Sequence, residues 1–231
     1  MIGIIGALSN ELKLIKSKMK NINTENIMGS VFYNGEIANE KVVVAECSIG
    51  KVNAAITATL MIAKYNPDII INTGIAGSIN NKLHVMDVLV VNRASVHDEG
   101  EVFKRYYPFA TSFEINNKWV DLAKRAFFNT HKNNMNELHI GEVITGDEYV
   151  ESEFKKEEIK KRFCNAYAVD MECGAIAKVC YRSKKDLVII KTISDEANDD
   201  ANLSYDEFID KASQSSANIV LELIKICNLH N

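Results

Sequence analysis

The chain has 231 residues, 27 Lys plus Arg against 31 Asp plus Glu for a formal charge of −4, with 47% apolar and 25% charged residues. This is the profile of a globular protein long enough to bury a core without metal or disulfide staples. The acidic balance, with no long Lys/Arg block and only five Arg among the 27 cations, argues against nucleic-acid binding and against clustered Arg–phosphate forks.

Residues 1–6 form an apolar run that predicts a short buried strand, and Leu12, Ile15 and Met19 recur at helical spacing over 9–20. Residues 30–38 and 41–47 carry β-branched and aromatic side chains around Ala38-Asn39-Glu40, the pattern of a hairpin. Gly50-Lys51-Val52 opens a helix that runs to about Tyr65 and is stopped by Pro67. The run 68–73 is too short for a typical helix and predicts a central strand ending at Gly74. Further strands are predicted at 87–95, 139–145, 166–170 and 186–193, with helices at 117–131, 152–163, 172–182 and 204–228. An irregular aromatic stretch covers 97–113.

Strands and helices therefore alternate, with no low-complexity linker and no repeat. The expectation is one α/β domain over residues 1–231, with a mixed sheet covered by helices.

Cys47, Cys164, Cys173, Cys180 and Cys227 form an odd set without a C-x-x-C pair, so neither a disulfide framework nor a zinc site is suggested. The apolar opening Met1–Gly6 lacks a basic flank and meets Ser9-Asn10-Glu11 too soon for a signal-peptide core. No run approaches the roughly 18 apolar residues of a membrane span. The sequence thus predicts a cytoplasmic protein with no membrane partner.

In open α/β sheets ligands gather beyond the carboxyl ends of strands. Five such ends carry glycines or carboxylates: Glu11, Gly74–Ser78, Gly146–Tyr149, Asp170–Glu172 and Ser194-Asp195. The glycines complete neither a Walker loop around Gly50-Lys51 nor a G-x-G-x-x-G at Gly3/Gly6 or Gly74/Gly77. They read instead as tight strand-to-helix turns, with close approach of backbone to a planar ligand as the other reading. An acid at the inner end of an apolar strand is costly unless paired, solvated or used. Taken singly, Asp195 also suits an N-cap, and Glu172 and Glu11 suit the positive first turn of a helix.

Together these residues carry a resemblance. Ile4–Ala7 with Glu11, Ile49–Val52, Ile70–Gly74 with Ala76-Gly77, Val96-His97-Asp98, Gly146-Asp147, Met171-Glu172, Ile193–Asp195 and Leu203–Phe208 resemble, in order, the 5′-methylthioadenosine/S-adenosylhomocysteine nucleosidases. The resemblance spans nearly the whole chain. It implies the nucleoside phosphorylase fold, a three-layer α/β/α arrangement around a mixed sheet with a partly barrel-like curl, usually assembled as a homodimer. It also implies adenosyl thioether substrates, including 5′-methylthioadenosine and S-adenosylhomocysteine, with 5′-deoxyadenosine a further candidate. Hydrolysis of the N-ribosidic bond would yield adenine and a thioribose, with no metal and no organic cofactor.

Carried over position by position, the resemblance makes Asp195 the general acid toward purine N7 and Glu11 the base that activates water. Glu172 would accept hydrogen bonds from the ribose 2′- and 3′-hydroxyls, a task that suits an acceptor-only carboxylate. Tyr149 would stack on adenine and the Val150 backbone would read its edge. Leu8, Ile49 and Met171 would line the sugar and thioether pocket, and Ile75, Ala76 and Gly77 would also contact substrate. Phe103, Tyr106, Tyr107 and Phe109 would close the 5′ pocket of a neighbouring subunit. The chain departs from the family at Ile75, where Ser is common, and at Lys191, where Arg is common.

Two alternatives share the fold. A purine nucleoside phosphorylase would recruit Arg near the first loop and the central glycines, where this chain has Ser9-Asn10-Glu11 and Asn72. A non-catalytic purine-binding module would not need Glu11 and Asp195 together. His97-Asp98-Glu99 could suggest a metal, but without further spaced ligands a loop or hydrogen-bonding role fits better.

Overall fold

The structure is a computed structural model and describes residues 1–100, 111–131 and 136–228. Its centre is built from short Ile- and Val-rich runs. Strand β1 (Ile2–Gly6) is buried along its whole length and lies parallel to both β4 (Glu40–Glu46) and β5 (Ile69–Ser78). Strands covered on both faces need apolar side chains on both, which is why these segments read as continuous runs instead of alternating ones.

On its other side β5 pairs with β10 (Asp186–Asp195) in parallel. Strand β6 (Val88–Val96) runs antiparallel to β10 and parallel to β8 (Leu138–Thr145). Strand β9 (Ala166–Asp170) continues parallel from β8 and returns antiparallel to β5. The five strands β5, β10, β6, β8 and β9 therefore close a ring, which removes their edges. From this ring the sheet continues outward through β1, β4, β3 (Ser30–Ile37) and β2 (Lys20–Ile27), while β7 (Ser112–Glu114) adds to β6.

Helices cover the sheet in two groups. The first is α1 (Ser9–Ser17), α3 (Asn117–Thr130) and the long α6 (Ala201–Asn228), which packs on both of the others and on β5 and β10. The second pairs α2 (Lys51–Tyr65) with α5 (Cys173–Ser183), with α5 also seated on β6 and β8. The short α4 (Glu153–Arg162) follows β8. This is the expected three-layer α/β/α arrangement with a curled mixed sheet. Among the described residues no helix is long and apolar enough to cross a membrane.

The structure corrects several local expectations. Helix α1 stops at Ser17, and Lys20–Ile27 is a strand that its sequence did not reveal. Lys-Asn-Ile-Asn-Thr-Glu-Asn-Ile is polar and mostly exposed, as a charged edge strand should be, so its only support is pairing with β3. Left-handed Met28 and Gly29 make its two-residue turn, and left-handed Ala38 and Asn39 make the next one, between β3 and β4. Gly74–Gly77 is not a strand-to-helix turn: β5 runs straight through it to Ser78. Strand β10 likewise extends to Asp195, and α6 begins at Ala201, three residues before the expected start.

Candidate active site

The site grows from the end of β1. Leu8 is extended and α1 starts at once, so Glu11 lies in the first turn with its side chain folded back over the strand end. One carboxylate oxygen, Oε2, accepts from the Ala7 and Leu8 N–H groups at 2.6 and 2.9 Å, and Oε1 accepts from the Ile75 N–H at 2.9 Å. The Leu8 bond satisfies the N–H of the N-cap residue, as in a capping box. Glu11 is only 2% exposed, and burial pushes its carboxyl above the ordinary range despite Lys191 nearby and these three donors.

Strand β5 can approach Glu11 because residue 74 is glycine. A Cβ there would sit 2.0 Å from Glu11 Oε1, and the φ of +152° is one that other residues rarely adopt. Gly77 makes the same allowance for a second acid, since its Cβ would lie 2.7 Å from Asp195 Oδ1. The glycines thus clear space for two carboxylates, which neither the turn reading nor the planar-ligand reading anticipated.

Asp195 closes β10 and does not cap the helix that follows. Its Oδ2 accepts from Ser194 Oγ at 2.8 Å and its Oδ1 from the Ala197 N–H at 2.9 Å, so the carboxyl is fixed within its own turn. Burial raises its pKa, and the two hydrogen bonds only partly offset that.

Glu172 occupies the N-cap position of α5 but its side chain makes no capping bond there; its Oε1 instead accepts from the Gly50 N–H at 2.9 Å, just before α2. Burial first, then the charge of Asp170, pushes its carboxyl up to about 7. Beneath it Lys191, 1% exposed, holds Asp170 Oδ2 at 3.0 Å. Burial alone would depress the Lys191 ammonium, but the acidic groups around it outweigh that and keep it charged. The Lys191 departure therefore retains a cation under the site, bound to an aspartate. Asp170 is braced further by Thr145 Oγ1 at 2.5 Å and by the Cys173 N–H.

These groups open onto one cavity of about 450 Å³. Leu8, Ile49, Ile75, Ala76, Gly77, Tyr149, Val150 and Met171 line it together with Glu11, Glu172 and Asp195. The Tyr149 ring meets Tyr205 edge-on with centroids 6.0 Å apart, giving the cavity an aromatic wall. No Lys or Arg side chain lines it among the described residues.

Comparison with known proteins matches this architecture. The profile of the phosphorylase superfamily matches residues 1–225. A 5′-methylthioadenosine/S-adenosylhomocysteine nucleosidase of Staphylococcus carnosus is 37% identical over 230 residues, covering 97% of this chain and 99% of that one. This chain belongs to that nucleosidase family. The solved nucleosidase of Neisseria meningitidis, in complex with methylthio-immucillin-A, superposes with a TM-score of 0.91 at 33% identity, covering 97% of this chain and 98% of that one. The native futalosine hydrolase of Helicobacter pylori superposes with a TM-score of 0.88 at 29% identity, covering 97% of each chain.

Every site residue inferred from the nucleosidase resemblance that lies in the described regions borders the cavity. Phe103, Tyr106, Tyr107 and Phe109 lie outside the described residues. Sequence reasoning missed Tyr205, Asp206 and Asn202, which reach the cavity from the first turns of α6. Tyr205 and Asp206 stood inside the nucleosidase-like stretch Leu203–Phe208, but no strand end pointed to them. Asp170 was also passed over as a site residue, because an acid two positions before Glu172 gives no sign of the cation it pairs with. His97-Asp98-Glu99 serves in hydrogen bonding: Asp98 accepts from Lys51 and from the Asp147 N–H, and Glu99 pairs with Lys178 at 2.8 Å. No cluster of three or more His, Cys, Asp and Glu suited to a metal occurs among the described residues.

Proposed function

We propose that this chain hydrolyses the N-ribosidic bond of 5′-methylthioadenosine and S-adenosylhomocysteine, releasing adenine and the corresponding thioribose. The observation that carries the reading is three buried carboxyl groups in three different settings on one cavity. Bond breaking leaves positive charge on ribose C1′ and pushes the C1′–N9 electron pair into the purine. Asp195, whose buried carboxyl favours the protonated form, gives its proton to N7, so adenine leaves neutral. Water adds to C1′ while Glu11 takes the proton that the water loses. The division of labour is that of an inverting glycosidase, one acid for the leaving group and one base for water. Exchange with solvent then returns the proton to Asp195 and removes it from Glu11.

Glu172 accepts from the ribose hydroxyls and lowers the energy of the positively charged sugar. Tyr149 stacks on the base, the Val150 backbone reads its edge, and Leu8, Ile49 and Met171 enclose the sugar and thioether. Ile75, Ala76 and Gly77 form the strand edge under the nucleoside. We further propose that residues 1–231 make one nucleosidase domain that works as a cytoplasmic homodimer.

Hydrolysis is favoured over phosphorolysis because the cavity presents carboxylates and, among the described residues, no cationic side chain. A phosphate dianion brought beside Glu11 would be repelled. The deciding measurement is adenine release from both substrates in phosphate-free buffer. Full turnover is expected there, strict dependence on added phosphate would replace hydrolysis by phosphorolysis, and tight binding without release would leave a purine-binding module.

A further inference from the structure

Beside the cavity, three chain segments meet at a charged junction that the reaction itself does not use. Lys51, the first residue of α2, sends its Nζ to Asp98 Oδ1, just past β6, and lies 3.7 Å from Asp147 Oδ2, just past β8. Two backbone bonds complete the closure. The Lys51 N–H donates to Asp147 Oδ1 at 2.7 Å, and the Asp147 N–H donates to Asp98 Oδ2 at 2.8 Å. The Lys51, Asp98 and Asp147 side chains are 22%, 30% and 47% exposed, so the junction lies at the surface and draws on its backbone bonds as well as on its charges.

What this junction holds is functional. Gly50, immediately before Lys51, is left-handed at φ +98°, and its N–H is the donor that fixes Glu172. A Cβ at Gly50 would lie 3.2 Å from Asp147 Oδ1, so the two loops are already in close contact. Asp147 leads, two and three residues on, to Tyr149 and Val150 on the cavity wall.

We infer that Lys51, with Asp98 and Asp147, is a positioning residue: it clasps the loops after β4, β6 and β8 so that the Gly50 N–H orients Glu172. This rests on the proposed contact of Glu172 with the ribose hydroxyls. Burial alone would raise the Asp98 carboxyl, but Lys51 and the Asp147 N–H hold it below the usual range, in keeping with an ionised pair.

The test is a double-mutant cycle on full-length protein, read as kcat and KM for adenine release from 5′-methylthioadenosine. Lys51→Met is expected to raise KM about 10-fold while changing kcat less than about threefold, as for groups coupled through a shared network. In a Glu172→Gln background the same substitution should raise KM less than about twofold, because the group it positions is already gone. Lys51→Arg, which keeps the charge, is expected to restore KM to within about threefold. Asp98→Asn repeats the measurement from the other side should Lys51→Met fold poorly.

An unchanged KM in both Lys51→Met and Asp98→Asn overturns the inference. So does an equal penalty with and without Glu172, which is what general loosening of the fold would give. Failure of the wild-type protein to release adenine would instead count against the proposed function, so the two failures are told apart.

Discussion

Glu11 and Asp195 are both buried and held by fixed hydrogen-bond donors, with no ammonium in direct contact among the described residues. Burial favours the neutral form of both, which suits the acid and sets a lower pH limit on the base. Asp195→Asn and Glu11→Gln are each expected to lower kcat by about 10²–10⁴-fold with the fold intact by circular dichroism, the range of a lost general acid or base. Retained turnover in either variant would reassign its role. Gly77→Ala tests placement without touching an acid, because the new methyl would overlap Asp195 Oδ1. A displacement of this size is expected to cost kcat on the order of 10²-fold while leaving the carboxyl present. The acids themselves were visible in the sequence among several carboxylates at strand ends, and the nucleosidase resemblance singled them out. The purpose of the glycines was not visible there, because Gly74 faces an acid 63 positions earlier and Gly77 one 118 positions later, and single-chain spacing carries no such distance.

Elements position these groups through packing. Leu12 and Ile15, fully buried on the inner side of α1, seat the helix that presents Glu11. Leu12→Ala is expected to cost about 2–5 kcal/mol, as for other large-to-small core changes, and to lower the melting temperature by roughly 5–15 °C in a thermal scan. A shift under about 2 °C would mean that α1 is not held by this contact. Most elements were visible in the sequence because their apolar runs are set by burial, as in β1, β5 and β10. Strand β2 was invisible for the opposite reason: it lies at the open edge, is mostly exposed, and gains its structure from hydrogen bonds to β3. The start of α6 at Ala201 was missed because its first turns carry polar side chains toward the cavity, not an apolar stripe toward the sheet.

At the scale of the whole molecule, pH links activity to stability. Glu172 has a carboxyl raised from 4.5 to about 7, so the folded state binds more protons than the unfolded chain across that interval. Its contribution to stability is present in full below about pH 4.5 and is lost as pH rises through about 7. Glu172→Gln is therefore expected to gain in melting temperature relative to wild type by roughly 5 °C more at pH 8 than at pH 5; an equal difference at both values would show that Glu172 titrates normally. The same ionisation works the other way on substrate, since only the carboxylate accepts both ribose hydroxyls. KM for 5′-methylthioadenosine is expected to fall as pH rises through about 7, whereas kcat is expected to fall as pH rises through the raised pKa of Asp195. By itself the residue pattern determined the α/β class and most of the elements, because burial is written locally into residue type and spacing, while the three acids were singled out by the ordered nucleosidase-like motifs. The tertiary structure alone decided which backbone donors hold each acid, that Lys191 pairs with Asp170, and that Lys51 ties three loops together. Those relations join residues far apart in the chain, and only the closing of five strands into a ring sets the distances between them.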